Sequence, residues 1–217
     1  MALEIPRPKS LYPSTTRILD FFGFYAGLEK AKYSDLEAAK LRGQAVDKWV
    51  TWLAMADPNT PHLRAETEAI LQPYDLGFRT FLHEHDWEHE AHQREFVSHV
   101  NKFVSHPDLL GRLDGFKSVL EVKTGAWPDS VRLQTAGQII AEGNFQRRRY
   151  VIWLPGDGTY RLRHLFETED FDDFTILVRC YHTLHRRLRA PRVKNAGIVM
   201  GEPEEDDRGD PWRQSDR

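Results

Sequence analysis

The sequence predicts a mixed α/β fold, of the α+β or α/β type, in which helices flank a small mixed β-sheet. Apolar residues recur at helical spacing through the first 85 residues. Short segments rich in Val, Leu and Phe follow between about 95 and 125, separated by polar residues, Gly and Pro. A helix, two strands and a last helix complete the pattern to about residue 188. This order predicts a small mixed sheet that follows an N-terminal helical elaboration.

The chain has the length and composition of one globular domain. Its 217 residues are 40% hydrophobic and 29% charged, and a chain of this length buries roughly 70% of its unfolded surface without a disulfide or metal. We predict one domain over residues 1–200, with the helical part at about 14–85 and a core at about 90–188. Residues 201–217 are rich in Asp and Glu, and are predicted to be a disordered acidic tail.

The first half of the chain carries helix signals. Ser14 precedes "TTRILDFFGF" and predicts an N-capped helix. In "SDLEAAKLRGQAVDKWVTWLAMAD", Ser34 and Glu37 form a capping-box pattern, which predicts a long helix that ends at Asp57-Pro58-Asn59. Two further helical segments are predicted near 63–71 and 74–84.

The second half carries strand signals that alternate with helices. We predict strands in "EFVSHV", "FVSH", "LLGRLDGF" and "SVLEVKT". The segment "DSVRLQTAGQIIAEG" predicts a helix with Asp129 as its N-cap, and "RRYVIWL" and "YRLRHL" predict a hairpin around "PGDGT". In "TEDFDDFTILVRCYHTLHRRL" acids open the segment and bases close it, as the dipole of a final helix favours.

Cysteine use and hydropathy exclude several classes of protein. Cys180 is the only cysteine, which excludes a disulfide framework, an iron–sulfur cluster and a Cys-rich zinc site. The segment "MALEIPRPKSLYPS" lacks the apolar region of a signal peptide, and no stretch approaches the roughly 20 apolar residues of a membrane span. We therefore expect a cytoplasmic protein without a membrane partner.

Charged residues in "GRLDGFKSVLEVKTG" predict a metal site. If "LLGRLDGF" and "SVLEVKT" are neighbouring strands, Asp114 lies at the end of the first, and Glu121 and Lys123 project from one face of the second. A hard divalent cation such as Mg²⁺ would relieve the repulsion between the two carboxylates, and the ammonium could orient or deprotonate a water. The alternative is a surface ion-pair cluster at a hairpin end.

The motif order "GRLDG…SVLEVKTG…RLQTAGQIIA" resembles the core of the PD-(D/E)XK nuclease superfamily, in its RecB-type and phage-exonuclease branch. The matching positions are Gly111, Asp114, Glu121, Lys123, Thr124, Gly125 and Gln134. Weaker matches extend the resemblance over residues 12 to 188. The resemblance implies a restriction-endonuclease-like core and a Mg²⁺- or Mn²⁺-dependent DNA nuclease.

The resemblance also implies roles for these residues. Asp114, Glu121 and the main-chain carbonyl of Val122 would bind the metal. Lys123 would activate the attacking water and stabilise the charge of the transition state, and Gln134 would orient the site. Members of the superfamily often add an upstream acid, for which Glu95 is the first candidate, ahead of Glu88 and Glu90. An ordinary surface carboxylate remains the alternative for Glu95.

One position departs from the pattern of the family. "LRGQAVDKWV" carries Asp47 where relatives have His in R-G-x-x-V-H. Asp at this position either replaces His as a ligand for a hard cation or means that this outer ligand has been lost.

Basic and aromatic residues are candidates for contact with nucleic acid. Arginines in "RRR" (147–149) and in "HRRLRAPRVK" (185–194) could bind phosphates, and Trp127 could stack on a base, although solvated surface and packing are the alternatives. The nucleic-acid candidates are Arg147, Arg148, Arg149, Arg186, Arg187 and Trp127. Six histidines between 83 and 106 are candidate zinc ligands. H-E-x-x-H is absent, however, and we expect this stretch to be a polar segment that connects elements of the fold.

The sequence thus predicts a metal-dependent DNA nuclease, and most specifically a phage-type exonuclease acting in recombination. A host cytoplasm is the expected location of a phage protein, and the resemblance is compatible with a homo-oligomer or a phage recombination partner. One alternative is a catalytically inactive DNA-binding module of this fold in a recombination or packaging complex. The other is a structural protein in which the charged residues form surface ion pairs.

Overall fold

A computed structural model describes residues 12–24, 33–56, 63–125 and 129–189. Within these ranges it contains five helices, a mixed sheet of five strands and a separate sheet of two strands, which confirms the predicted fold class. The elements are α1 (Thr15–Phe21), α2 (Tyr33–Ala54), α3 (Ala65–Glu84), β1 (Trp87–His92), β2 (Phe96–Ser98), β3 (Phe103–Ser105), β4 (Leu109–Leu113), β5 (Phe116–Thr124), α4 (Val131–Glu142), β6 (Arg148–Leu154), β7 (Arg161–Leu165) and α5 (Glu169–Arg189).

The large sheet has the strand order β1-β4-β5-β6-β7. Strands β5 and β6 are parallel and are joined through α4, whereas the other neighbouring pairs are antiparallel. Strands β2 and β3 form the second sheet, and Val104 of β3 also forms an isolated parallel bridge with Ser14. The predicted hairpin of β6 and β7 is therefore confirmed, while the four predicted strands between 95 and 125 divide between two sheets.

Helices cover both faces of the large sheet. On one face, α2 and α3 pack through Val46, Val50 and Phe78 onto Leu120 and its neighbours. On the other face, α4 packs onto the sheet, and α1 and α5 pack onto α4. Because side chains alternate along a strand, β5 directs Leu120 toward α2 and α3 and the next residue toward α4.

Helix boundaries follow the sequence closely at some ends. The Ser14 hydroxyl accepts a hydrogen bond from Arg17 N at 3.1 Å, as predicted for the cap of α1. Helix α2 begins at Tyr33, so Ser34 lies inside its first turn and not before it, and the predicted stop at 57–59 lies outside the described residues. Helix α3 continues through Pro73, so the two predicted segments form one helix. Its sheet-facing packing outweighs the one backbone hydrogen bond lost at proline.

Strand β1 was not predicted. Its sequence "WEHEAH" is polar, but Trp87, His89 and Ala91 are half-buried and alternate with exposed residues. An edge strand tolerates this composition because one side of it faces solvent. The N-cap of α4 is Ser130, one residue after the predicted Asp129. Across the described ranges, no helix combines the length and the apolar character needed to cross a bilayer.

Candidate active site

The β4–β5 hairpin has a turn end that explains Asp114. Asp114 and Gly115 have φ values of 51° and 81°, and Asp-Gly is a favoured dipeptide for a two-residue turn of this kind. The Asp114 carboxylate accepts a hydrogen bond from Asp86 N at 3.0 Å and lies 2.9 Å from His85 Nδ1. The hydrogen bond from His85, followed by that from Asp86, lowers the pKa of Asp114.

This placement separates Asp114 from the other predicted catalytic residues. Phe116, the first residue of β5, pairs with Leu113, so Glu121 lies five residues further along the strand, or about 17 Å at the usual rise. The prediction that Asp114 converges with Glu121 and Lys123 is therefore wrong. The geometry of the turn explains why Asp114 and Gly115 occur here.

Asp108 occupies the open end of the same hairpin. It immediately precedes β4, and the pairing of Leu109 with Leu120 brings it opposite Glu121. Asp108 Oδ2 accepts a hydrogen bond from Val122 N at 2.9 Å. Burial raises the pKa of the Asp108 carboxyl well above its usual range, and the negative charge of Glu121 raises it further. Asp108 therefore lies beside Glu121, in the position that the sequence predicted for Asp114.

Gln93 holds the other oxygen of Asp108. Its side-chain Nε2 lies 3.2 Å from Asp108 Oδ1, and its main-chain N–H donates to the carbonyl oxygens of Pro107 and Asp108. Gln93 has a φ of 45°, which is uncommon for a residue other than Gly, Asn or Asp. The left-handed backbone at the end of β1 therefore directs an amide onto the carboxylate.

Glu121 is buried and receives three hydrogen bonds. Its side chain is only 1% exposed. Glu121 Oε1 accepts from Lys123 Nζ at 2.7 Å and from Gln134 Nε2 at 2.5 Å, and Oε2 accepts from Gln138 Nε2 at 2.6 Å. Lys123 Nζ also donates to Gln134 Oε1 at 3.1 Å. Since Gln134 and Gln138 are one turn apart on α4, the helix presents both amides to one carboxylate.

Asp47 is the third acid of this region. Burial raises its pKa and the charge of Glu121 raises it further, while Lys123 and His92 act in the opposite direction. Helix α2 lies close to β5 here, because a Cβ added at Gly43 would lie 3.8 Å from Thr124 Oγ1. The structure thus brings Asp47 into the same electrostatic environment as Glu121 and Lys123, and its role as a metal ligand stays a prediction.

The donor set fits a hard divalent cation. Asp108 and Glu121 supply carboxylate oxygens, and burial, followed by the charge of Glu121, raises the pKa of both Asp47 and Asp108. Within the described ranges, no three His, Cys, Asp or Glu side chains form a ready metal cage. Mg²⁺ needs only one or two carboxylates, because water and substrate phosphate complete its shell. The Val122 carbonyl remains a predicted third oxygen.

Other predicted residues have different surroundings. Glu95 Oε2 lies 3.3 Å from His106 Nε2, so its carboxylate is directed to a half-exposed ion pair. Glu88 lies 3.8 Å from Arg112, and Glu90 contacts the buried Arg147. These three acids have structural partners of their own.

Arg147 and Arg149 are not available to a nucleic acid. Arg147 is 3% exposed and contacts Glu142, Glu90 and the carbonyl of Gly111. Arg149 is 2% exposed and pairs with Asp170 at 2.9 Å. The prediction that these two arginines bind nucleic acid is therefore wrong, because burial and carboxylate partners commit them to the fold.

The remaining predicted contacts are on the surface or outside the described residues. The Arg148 guanidinium lies over the Phe116 ring, 3.2 Å from its centroid, and Arg186 is exposed on α5. Trp127 and the side chain of Arg187 lie outside the described part. The predicted histidine cluster divides among different partners, and His89 and His92 face each other on β1 with ring centroids 5.6 Å apart.

Sequence reasoning missed Asp108, Gln138 and Gln93. Pro107-Asp108 is the dipeptide that gives the PD-(D/E)XK superfamily its first two letters, and it stands before Glu121-Val122-Lys123 in the expected order. Gln138 follows Gln134 by one helical turn, which was a second available signal. No sequence signal pointed to Gln93, because its role depends on the backbone at the end of β1.

Among known proteins, this chain shows similarity only to solved structures. No family model matches the chain, and no curated protein matches it. The crystal structure of LHK-Exo in complex with dAMP gives a TM-score of 0.42 at 12% identity, covering 82% of this chain and 89% of that chain. A second structure, of the alkaline exonuclease LHK-Exo from Laribacter hongkongensis, gives 0.38 at 14% identity, with 82% and 93% covered. A functional assignment therefore depends on the residues of the site.

Proposed function

We propose that this chain is a metal-dependent nuclease that hydrolyses phosphodiester bonds of DNA, with Asp108, Glu121 and Lys123 as its central residues. The observation that carries the proposal is the meeting of two carboxylates and an ammonium at the open end of the β4–β5 hairpin. Glu121 is buried, and replacing a buried ion pair by hydrophobic residues of similar volume is often neutral or stabilising. Stability is thus a weak reason to bury Glu121 among polar groups.

Asp108, Glu121 and the Val122 carbonyl would hold Mg²⁺ or Mn²⁺, with Asp47 as an outer acid. The ion would supply a Lewis acid that polarises the scissile phosphate and lowers the pKa of the attacking water. Hard oxygen donors favour these ions over softer metals. Gln93, Gln134 and Gln138 fix the two carboxylates and so reduce the reorganisation that binding requires.

The residues of the chain would perform the remaining steps. The water attacks phosphorus, the bond to the leaving ester oxygen breaks, and the products are a phosphate monoester and an alcohol. Lys123 Nζ, which donates hydrogen bonds to Glu121 and Gln134, would orient the water and stabilise negative charge on the phosphate oxygens. Gln134 keeps the ammonium and the carboxylate aligned.

Exonuclease action, DNA as substrate and a role in recombination rest on the motif resemblance. A recombination enzyme that degrades from ends would cut linear duplexes and spare closed circles. The test incubates the full chain with linear duplex, closed circular duplex and single-stranded DNA, in Mg²⁺ and in EDTA. We expect degradation of linear DNA in Mg²⁺ only.

Lys123→Ala is the matched variant for this assay. We expect cleavage to fall by at least about 10²-fold, the usual minimum for loss of a positioned catalytic group, while DNA affinity and the circular dichroism spectrum are retained. Cleavage at the parental rate by Lys123→Ala, or cleavage in EDTA, would overturn the mechanism. Cleavage of closed circular DNA at the same rate as linear DNA would show that the chain is an endonuclease.

A further inference from the structure

A groove separates the β2–β3 turn from helix α5. Its volume is about 610 Å³, and its lining includes Lys102 from the turn and Arg179 and Arg186 from α5. All three cations are exposed, and no Asp or Glu is among the lining residues. The groove therefore combines a concave surface with uncompensated positive charge, which is the electrostatic character of a phosphate-binding site.

The turn that carries Lys102 is held in place by hydrogen bonds. His182 Nε2 lies 3.1 Å from the carbonyl oxygen of Asn101, which links α5 to the turn. Lys102 N donates to the carbonyl of Ser98 at 2.7 Å, and Asn101 N donates to Ser98 Oγ at 3.3 Å. Lys102 has a φ of 57°. The position of this lysine backbone is thus fixed relative to α5.

The surroundings of the groove cations differ from those of three arginines elsewhere in the fold. Arg132, Arg147 and Arg149 each pair with at least one carboxylate. In the described part of the chain, no ion pair involves Lys102, Arg179 or Arg186. Like charges that gather without counter-charges destabilise a fold, so a ligand that supplies the missing negative charge is the physical expectation.

The spacing of the cations suits a polyanion. Arg179 and Arg186 are seven residues apart on α5, which places them on one face about 10.5 Å apart along the axis. That distance spans about three phosphates of one strand at 3.4 Å each. The ring of His185 is already stacked on Tyr181, with centroids 5.3 Å apart. Phosphate contacts, more than base stacking, therefore fit this lining.

The groove lies within reach of the candidate active site. Lys102 precedes Asp108 by six residues, with β3 between them, so their Cα atoms are at most about 20 Å apart. A nucleic-acid strand at 3.4 Å per nucleotide covers this distance in about six nucleotides.

We propose that the groove formed by Lys102, Arg179 and Arg186 binds the phosphate backbone of DNA at most about six nucleotides from the bond that is cut. The inference rests on the proposed nuclease function and adds an extended substrate site to it. Binding through phosphates fixes the position of the strand without reading its sequence. The groove would therefore strengthen the binding of strands that reach from it to the catalytic site more than the binding of shorter strands.

The test compares the parent with Lys102→Gln/Arg179→Gln, and uses Lys117→Gln as control because Lys117 is an exposed lysine near the turn end of the β4–β5 hairpin. Fluorescence anisotropy in EDTA measures the affinity of each full chain for labelled single-stranded DNA of 12 and of 4 nucleotides across a salt series. Hydrolysis of bis(p-nitrophenyl) phosphate in Mg²⁺ measures the catalytic site alone.

We expect the double variant to bind the 12-mer about 10-fold more weakly at low salt. Its plot of log affinity against log salt should be shallower by about 1.4, because two single-strand phosphate contacts are lost. The loss of affinity should be smaller for the 4-mer than for the 12-mer, hydrolysis of the small ester should match the parent, and the control should match it throughout.

Three results would overturn the proposal. The first is a 12-mer affinity and salt dependence equal to those of the parent. The second is a parallel loss of small-ester hydrolysis, which would assign the cations to the catalytic site. The third is unchanged DNA binding with weakened binding of poly-glutamate, which would assign the groove to an acidic protein. If no chain hydrolyses any ester but the groove dependence persists, the nuclease proposal fails and the groove assignment stands.

Discussion

The two ends of the β4–β5 hairpin each carry an aspartate, and their environments are opposite. At the turn end, Asp114 is half-exposed, and His85 and the main-chain N–H of Asp86 lower its pKa. At the open end, burial and the charge of Glu121 raise the pKa of Asp108. The fold has already stabilised the first charge, whereas at the second burial and the charge of Glu121 outweigh the effects of Lys123 and of the Val122 N–H. Perturbed acids in a polar cluster are the better candidates for function.

The largest expected difference concerns cleavage and metal binding. Asp108→Asn should reduce the rate of linear DNA cleavage by at least about 10²-fold, whereas Asp114→Asn should stay within about 2-fold because the turn end touches no reacting group. Mg²⁺ should raise the melting temperature of the parent and of Asp114→Asn but not that of Asp108→Asn. If Asp114→Asn lost more cleavage and more Mg²⁺ stabilisation than Asp108→Asn, the metal site would lie at the turn end.

A smaller effect is expected on stability without metal. The folded pKa of Asp108 lies above its unfolded value, so its contribution to stability is present at low pH and is lost as pH rises through the folded pKa. Asn does not titrate. Asp108→Asn should therefore gain stability relative to the parent as pH rises from the unfolded pKa of about 3.9 through the folded pKa, by on the order of 1 kcal/mol. Urea unfolding in EDTA measures this, and a difference independent of pH would contradict it.

The smallest effect is expected from Asp114→Asn. The folded pKa of Asp114 lies below its unfolded value, so its contribution is present at neutral pH and is lost as pH falls through the folded pKa. Asn tolerates the positive φ of the turn, so only the interaction with His85 changes. Unfolding experiments should find the variant less stable by under about 1 kcal/mol at pH 7, with no difference near pH 2. A constant loss at both pH values would indicate damage to the turn.

The contrast between the two aspartates also explains what could be read from the sequence. Alternation along a strand correctly placed Glu121 and Lys123 on one face, and helical spacing with the motif resemblance correctly brought Gln134 to them. The choice between Asp108 and Asp114 required the register of the hairpin. Asp-Gly at 114–115 was a turn signal that should have assigned this aspartate to the loop.

The arginines show a second limit. "RRR" at 147–149 looked like a basic cluster. Arg147 and Arg149 are nevertheless buried and pair with Glu142 and Asp170. Those partners lie on other elements of the fold. The number of charged residues in a stretch of sequence therefore does not show which of them are exposed to solvent. Gly111 illustrates the same limit, because a Cβ there would lie 2.2 Å from the carbonyl oxygen of Glu88. Its requirement for glycine comes from the neighbouring strand β1.

Helix α4 both joins the parallel strands β5 and β6 and supplies two amides to Glu121. During synthesis, Glu121 leaves the ribosome before α4 and well before the residues of β6 that pair beside it. The carboxylate, its amides and its flanking strand therefore come together only after most of the chain has emerged. A polypeptide that ended before α4 would lack both amides that hold Glu121.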